Sequence, residues 1–256
     1  MSTGAGRVVS TEGDSQGTRR PIRVLSVDTA TRRATVAAVC GGQLLHRAQH
    51  EQPRTHAERL PAMIDEVLAG AGWARGQVDL LAVGQGPGSF TGVRVGMALA
   101  KGLGLALGIP LVGVNSLEAM AYAGRSQLGA IPLASLLDAK KSEVFVASYD
   151  GRGEPVAAPR HIPREQVGCW FREQAGALGA HLRALGEVVS ELEIEPTQTF
   201  RHPSSDLPEP FAMALIAAAR WAQQPYDQLD VVEPMYIRPP DINLHTSNST
   251  PTRVKA

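Results

Sequence analysis

The chain has 256 residues, of which 43% are hydrophobic and 20% charged, a composition typical of a soluble globular protein. Its 25 Lys and Arg residues balance 25 Asp and Glu residues, and only 5% of its residues are aromatic. Because neither a basic field nor many stacking surfaces are present, tight RNA binding by the chain alone is not expected. Cys40 and Cys169 fit neither a disulfide framework nor a zinc site, so a reducing compartment is predicted.

The N-terminus is rich in Gly, Ser and Thr and lacks the apolar run of a secretory signal. Residues 95–114 are almost all apolar, but Lys101 lies near the middle of this run and Pro110 near its end. A central lysine costs about 2.5–3.5 kcal/mol on insertion into a membrane. We therefore expect a buried helix followed by a buried strand, in a cytoplasmic protein that does not bind a membrane.

The first predicted elements are three short strands, 24–27, 34–39 and 43–49, joined by short turns into a meander. A helix follows, for which Thr55 and Glu58 have the spacing of a capping box. Apolar residues then recur at the spacing of one helical face: Leu60, Met63, Ile64, Val67 and Leu68. Next come a strand at 78–83, a glycine-rich turn, a helix at 93–108, a strand at 109–114 and a helix capped by Asn115.

The order of elements then repeats. Asp28 and Asp138 each end an apolar strand, and a second apolar strand begins six residues after each of them. The pattern predicts a pseudo-duplicated α/β unit. We expect a disordered arm at 1–21, an N-terminal lobe at 22–125, a smaller C-terminal lobe at 126–238 and a flexible tail at 239–256. Helices near 164–173 and 210–223 and a terminal strand at 231–236 complete the prediction.

The segment Gly86-Pro87-Gly88-Ser89-Phe90-Thr91-Gly92-Val93-Arg94 admits two interpretations. Its glycines could let backbone N–H groups cradle a phosphate or carboxylate at a helix N-terminus. Alternatively, they only allow a tight turn between a strand and a helix. The segment is neither a Walker loop nor a dinucleotide fingerprint. Ser89 and Thr91 have no His nearby in the sequence that would indicate a nucleophile.

Small residues recur every fourth position in the following helix: Gly92, Gly96, Ala100, Gly104 and Gly108. A ridge of small side chains lets another backbone approach closely. The packing gained in this way must offset the low helix propensity of Gly, which costs about 1 kcal/mol per residue relative to Ala. The ridge packs either on the chain's own sheet or on a helix of a partner protein. Both alternatives remain open from the sequence.

Three polar residues invite a functional hypothesis. Asp28 and Asp138 could face each other across a cleft and hold a metal–nucleotide, as in actin-like ATPases, or each could cap its own turn. His56 has no metal-ligand neighbour except Glu58, so we expect it to cap the helix or to contact a surface.

Five segments closely resemble the TsaB (YeaZ) family, and together they span about residues 22–241: 25–31, 55–61, 86–96, 137–145 and 233–240. The Gly-Pro-Gly block is the most specific of them. The resemblance implies an α/β, actin-like and RNase H-like (ASKHA) fold, with two pseudo-duplicated lobes whose mixed sheets are flanked by helices. It also implies that the chain acts together with the paralogue TsaD and the ATPase TsaE in making threonylcarbamoyladenosine next to the tRNA anticodon.

In the family, TsaD carries the metal and transfers the threonylcarbamoyl group, whereas this chain departs from the TsaD pattern at three places. Ser116 and Met120 stand where TsaD has a His-x-x-x-His metal motif. No Gly-Gly adenosine element is present, since 176–179 reads Gly-Ala-Leu-Gly, and Asp28 lacks the following glycine of a phosphate-binding hairpin. The resemblance therefore implies a scaffold subunit without catalytic residues, metal or cofactor, in which Asp28 and Asp138 are vestigial nucleotide-site positions.

The resemblance further implies that the first two helices bind TsaD as a heterodimer. TsaE and tRNA would bind only through that complex, and a homodimer would form when the chain is alone. The residues expected at the interface are His56, Arg59, Leu60, Met63, Val67, Val93, Arg94, Gly96, Met97, Ala100 and Gly104. Two alternatives are an actin-like ATPase or small-molecule kinase that uses Asp28 and Asp138, and a metallopeptidase of the glycoprotease type.

Overall fold

The computed structural model describes residues 20–52, 55–179 and 181–238. The predicted arm at 1–21, apart from its last two residues, and the predicted tail at 239–256 lie outside the described residues. The predicted boundary at 125/126 falls inside a helix that packs on both lobes, so the division into lobes stays a prediction at that position.

The first sheet has five strands in the order β3-β2-β1-β4-β5. They are β1 (Arg23–Asp28), β2 (Ala34–Cys40), β3 (Gln43–His50), β4 (Leu80–Gly84) and β5 (Leu111–Val114). β1 is antiparallel to β2 and parallel to β4. Every residue of β4 and β5 is buried, which explains why these strands read as continuous apolar runs.

The second sheet repeats this connectivity in the order β10-β9-β6-β7-β8. Its strands are β6 (Leu133–Lys140), β7 (Glu143–Tyr149), β8 (Arg160–Pro163), β9 (Arg183–Leu185) and β10 (Thr199–Phe200). Like β1, β6 is antiparallel to the strand that follows it and parallel to the strand on its other side. The predicted duplication and the predicted α/β fold class are confirmed.

The described residues form five α-helices that cover the sheets: α1 (His56–Gly70), α2 (Phe90–Leu107), α3 (Ser116–Leu128), α4 (Val167–Leu178) and α5 (Pro210–Gln223). α1 and α2 share an apolar core with one face of the first sheet, and α5 packs on the other face. α3 joins the lobes, because Ala119 and Ala123 pack with α5 while Leu117 and Met120 pack with β6 and β7.

The two predicted helix caps have different outcomes. Asn115 caps α3, since its side-chain oxygen accepts from the N–H groups of Leu117 at 2.8 Å and Glu118 at 3.2 Å. The capping box at Thr55 is wrong, because the Thr55 side chain caps nothing in α1. Its hydroxyl donates to the Gln52 carbonyl at 3.0 Å and lies 2.7 Å from His50 Nε2. The Thr55 hydroxyl therefore bonds to residues that precede α1 and not to the free N–H groups of its first turn.

The apolar run at 95–114 forms most of α2 and all of β5, so the predicted helix and buried strand are confirmed. The helix was expected to be buried, but only one face of it is. Within the described residues, α2 is the one helix that is long and apolar enough to suggest a membrane span, with a mean hydropathy of 1.3. Length and composition alone are weak evidence for a span, and one face of α2 is packed on the first sheet.

The predicted terminal strand at 231–236 is wrong, because these residues join neither sheet. Val232 is nevertheless 3% exposed and belongs to the core under α1 and α2. The Met235 N–H donates to the Gln85 carbonyl at 2.7 Å. The segment is therefore held by burial and single hydrogen bonds rather than by a strand ladder.

Candidate functional site

The glycine-rich loop between β4 and α2 lies against the turn that joins β1 and β2. The Ser89 N–H donates to the Ala30 carbonyl at 2.7 Å, and the Ser89 hydroxyl caps α2 by accepting from the Gly92 N–H at 3.2 Å. A Cβ at position 88 would come within 2.0 Å of the Ala30 carbonyl oxygen. Glycine is therefore required there by the close approach of two backbones, and the Ser89 N–H already has a partner within the chain.

The small-residue ridge of α2 packs on the same turn. The Thr29 hydroxyl donates to the Gly92 carbonyl at 2.7 Å and accepts from the Gly96 N–H at 3.1 Å. A Cβ would lie 2.1 Å from the Thr29 carbonyl oxygen at position 92 and 2.3 Å from the Thr29 Oγ1 at position 96. Of the two alternatives for the ridge, packing within the chain accounts for these glycines.

Asp28 is buried at the end of β1 and does not line the cleft between the lobes. Its carboxylate accepts from the Ala30 N–H at 3.1 Å and from the Ser116 hydroxyl at 3.2 Å. Gly84 leaves the space for this carboxylate, since a Cβ there would lie 1.9 Å from Asp28 Oδ2. Burial raises the pKa of Asp28 to about 6, because desolvation disfavours the charged form.

Asp138 does line the inter-lobe cleft, a cavity of about 340 Å³. Its carboxylate accepts from Lys140 Nζ at 2.6 Å and Arg164 Nη2 at 3.2 Å. Burial opposes ionisation of Asp138, but the hydrogen bonds and charge of Lys140, with the bond from Arg164, outweigh it and lower the pKa of this carboxyl. The cations around this carboxylate thus pair with it.

The two aspartates do not face each other across the cleft. Asp28 accepts from the N–H of Ala30, and Asp138 accepts from the N–H of Lys140 at 3.0 Å, so each binds the backbone of its own turn. This is the turn-capping alternative. An ATPase that uses both carboxylates on one nucleotide finds no support in this arrangement.

Ser116 and Met120, which align with the two histidines of the TsaD metal motif, both lie in the core. Ser116 and Met120 are each fully buried, and the Ser116 hydroxyl is used on Asp28. Across residues 20–52, 55–179 and 181–238, no three His, Cys, Asp or Glu side chains come together in a group suited to a metal ion.

Nine of the eleven residues expected at a partner interface are buried within this chain. They are His56, Leu60, Met63, Val67, Val93, Gly96, Met97, Ala100 and Gly104, whereas Arg59 and Arg94 are exposed. These nine residues, two of which are glycines, lie where α1 and α2 pack on the rest of the chain and are closed to direct contact with a partner in this conformation. That these helices meet a partner stays a prediction, and other residues of the same helices face outward.

His56 is 2% exposed, so the expectation that it contacts a surface is wrong. Its ring lies edge-on to His50 with 6.2 Å between the ring centroids. Burial lowers the pKa of His56. The neutral ring is therefore favoured at this first residue of α1.

The C-terminal segment makes contacts that the sequence did not indicate. Arg94 Nε donates to the Tyr236 hydroxyl at 2.6 Å, and the Arg94 guanidinium lies 3.7 Å from the centroid of the Phe90 ring. The Phe90 and Tyr236 rings are 5.0 Å apart. Arg94, which was expected to bind a partner, therefore clamps this segment beside the glycine-rich loop.

Comparisons with known proteins find several relatives of this chain. A family model described as TsaD: tRNA N6-adenosine threonylcarbamoyltransferase matches residues 43–166. The tRNA threonylcarbamoyladenosine biosynthesis protein TsaB of Escherichia coli is 34% identical over 158 residues, or 61% of this chain and 62% of that protein. The solved structure of YeaZ from Pseudomonas aeruginosa matches with a TM-score of 0.71 and 28% identity, over 84% of this chain and 99% of that one. In sequence and in fold the chain is similar to the TsaB (YeaZ) proteins.

Two other similarities cover more of this chain than the match to the Escherichia coli protein does. A protein of Mycobacterium tuberculosis described as uncharacterised is 33% identical over 224 residues, which are 85% of this chain and 92% of that protein. The matches to the Escherichia coli and Haemophilus influenzae TsaB proteins span only 62% and 52% of those proteins. Component A of (R)-2-hydroxyglutaryl-CoA dehydratase from Acidaminococcus fermentans shares the fold alone, with a TM-score of 0.53 at 11% identity, over 78% of this chain and 99% of that one.

Proposed function

We propose that this chain takes part in making threonylcarbamoyladenosine in tRNA, as a non-catalytic subunit that binds a TsaD homologue. Two comparisons support the pathway: the curated TsaB relatives carry this biosynthesis in their names, and the TsaD family model matches residues 43–166. The chain is thus a relative of the transferase that it would bind. Pairs of related subunits commonly associate through equivalent elements around a pseudo-twofold axis.

The observation that carries the proposal is the outward face of α1 and α2. We call it the docking face and define it by Pro61, Ala62, Ala98, Gly102 and Leu105, all of which are exposed. Leu105 is 71% exposed. A large apolar side chain beside small ones suits a helix–helix contact, because the small residues let the partner's backbone approach while Leu105 fills a pocket.

The absence of catalysis is supported by what the candidate chemical groups do instead. Asp28 is buried away from the cleft, and Asp138 is paired with Lys140 and Arg164. Ser116 and Met120 are packed in the core. In the proposed assembly the TsaD homologue supplies the transfer chemistry, TsaE and tRNA bind through the complex, and the docking face pairs two copies when TsaD is absent.

The test is co-purification and affinity measurement with a TsaD homologue. Leu105→Glu should weaken binding by about 10- to 100-fold, because a buried leucine contributes about 1.5–3 kcal/mol. It should also shift the isolated chain from dimer to monomer in light scattering. Val156→Glu is the matched control, because Val156 is 45% exposed in the other lobe. A folded Leu105→Glu chain that binds as tightly as the unaltered one would refute the docking face.

A further inference from the structure

Residues 227–238, which we call the C-terminal strap, cross from the lobe of the first sheet to the lobe of the second sheet. The strap begins along β5, where the Gln228 N–H donates to the Leu111 carbonyl at 2.9 Å and the Gln228 side chain accepts from the Gly113 N–H at 2.9 Å. Its next anchor is Val232, which is buried in the core under α1 and α2. The start of the strap is therefore fixed in the first lobe by burial and by backbone hydrogen bonds.

The end of the strap forms one wall of the inter-lobe cleft. Four consecutive strap residues line this cleft: Met235, Tyr236, Ile237 and Arg238. Met235 is held by the first lobe, since its N–H donates to the Gln85 carbonyl. Tyr236 is also held there, because its hydroxyl accepts from Arg94 of α2. The Ile237 side chain instead packs against the apolar core that β6 and β7 share with α3. The chain thus passes from one lobe to the other between Tyr236 and Ile237.

Arg238 attaches the strap to the hairpin of β6 and β7. Its Nη1 donates to the Ala139 carbonyl at 2.9 Å and to Glu143 Oε2 at 2.9 Å. These two acceptors lie on opposite strands of the hairpin, so one guanidinium group spans it. His161 Nε2 is 3.9 Å from the other oxygen of Glu143, so Arg238 is the closer cation. The side chains of Arg238 and Glu143 are only 25% and 26% exposed, and a charge-assisted hydrogen bond with limited solvent access is stronger than an exposed ion pair.

Another ion pair also joins the two lobes at the cleft. Arg32, in the turn between β1 and β2, pairs with Glu187 of the second lobe at 3.1 Å. The Arg32 side chain is 49% exposed, and an ion pair that open to solvent contributes little to stability. α3 packs on both lobes, but lobes that share one packed element can still rotate about it. The strap combines a buried anchor in one lobe with a charged anchor in the other, and it is therefore the contact best suited to fix the angle between them.

We propose that the C-terminal strap is a latch that sets the width of the inter-lobe cleft, and that the latch releases at Arg238. The first-lobe end is held by backbone hydrogen bonds and by the burial of Val232, so it stays in place. The second-lobe end depends on one guanidinium group and on the partly buried Ile237. When Arg238 leaves the hairpin, the cleft of about 340 Å³ loses the tie across it and opens by rotation about α3. This device is independent of the docking face and of any partner.

The two cysteines of the chain allow the separation of the lobes to be measured. Cys40 lies in β2 of the first lobe and Cys169 in α4 of the second, and both are free thiols. Spin labels on the two thiols, measured by double electron–electron resonance, report the distribution of distances between the lobes. An excess of unlabelled chain ensures that each measured pair of labels lies within one molecule. Circular dichroism checks that every labelled chain is folded.

The unaltered chain should give one narrow distribution of distances, and Arg238→Ala should at least double its width. Glu143→Gln removes the charge at nearly constant shape; it should widen the distribution by a smaller amount, and it carries the test if Arg238→Ala does not fold. Arg75→Ala is the matched control and should keep the narrow distribution, because Arg75 pairs with Asp65 at 2.5 Å inside the first lobe. Arg32→Ala should widen the distribution less than Arg238→Ala does. Folded latch variants with a distribution as narrow as that of the control, or greater widening in Arg32→Ala, would overturn the proposal.

Discussion

A single methyl group at residue 92 tests whether α2 packs against the first hairpin of its own chain. In Gly92→Ala the new Cβ would lie 2.1 Å from the Thr29 carbonyl oxygen, which is backbone and cannot rotate away. Gly176→Ala, in α4 and outside the docking face, is the control, because a Cβ there meets nothing within 4 Å.

The two substitutions should change stability in opposite directions. At an open helical site, Gly→Ala stabilises by about 0.4–1 kcal/mol, which raises the Tm of a domain of this size by about 1–4 °C. Overpacking at a closed site costs about 1–3 kcal/mol. After the gain in helix propensity is subtracted, Gly92→Ala should lower the free energy of unfolding by about 1–2 kcal/mol, or the Tm by about 2–8 °C.

Thermal and urea denaturation of the three chains, followed by circular dichroism, measures both effects. A Gly92→Ala chain as stable as the Gly176→Ala chain would show that α2 shifts freely relative to the hairpin. In that case the small-residue ridge would not be explained by internal packing, and the alternative of a partner helix on this ridge would return.

Two further predictions concern buried and clamped side chains. Burial raises the pKa of Asp28 from 3.8 to about 6. The stabilisation that the protonated carboxyl gives is therefore fully present below pH 4 and is lost as the pH rises through 6. The free energy of unfolding falls by about 3 kcal/mol at most over this range. Asp28→Asn should therefore flatten the pH dependence of stability between pH 4 and 6 and should stabilise the chain at pH 7. It should also preserve tRNA modification. A loss of modification in a folded Asp28→Asn chain would support the ATPase alternative. Arg94→Ala removes the 2.6 Å hydrogen bond to Tyr236 and should speed amide exchange across residues 233–238, whereas Arg59→Ala should leave that exchange unchanged. Equal exchange in the two variants would contradict the clamp.

The first meander and the duplication were accessible from the sequence because each hairpin is a local signal. An apolar strand, an aspartate, a turn and a second apolar strand occur together at Asp28 and again at Asp138. The side chain that binds the turn's own backbone lies within that short segment, so neither copy depends on distant residues.

The parts that the sequence could not predict depend on distant contacts. Apolar periodicity identified the inward face of α1 and α2, so the residues expected at the interface were mostly core residues. Leu105 lies on the outward face of α2, but it is one apolar residue among many in this helix, so the sequence did not single it out. The segment at 231–236 looked like a strand because Val232 is apolar and buried, yet it pairs with no ladder. The cavity between the first sheet and the loop before α5 is lined by both Thr35 and Glu209, and nothing in the sequence around either residue indicates the other.

The most direct test of the central claim is a tRNA modification assay that supplies threonylcarbamoyl-AMP as the donor together with TsaD and TsaE homologues, with and without this chain. We expect threonylcarbamoyladenosine to form when the chain is present, to fall sharply when it is omitted, and to be absent when the chain is the sole protein added. Restoration by the Val156→Glu chain but not by the Leu105→Glu chain would assign the effect to the docking face. Modified tRNA made by the isolated chain, or an undiminished yield without it, would contradict the proposed role.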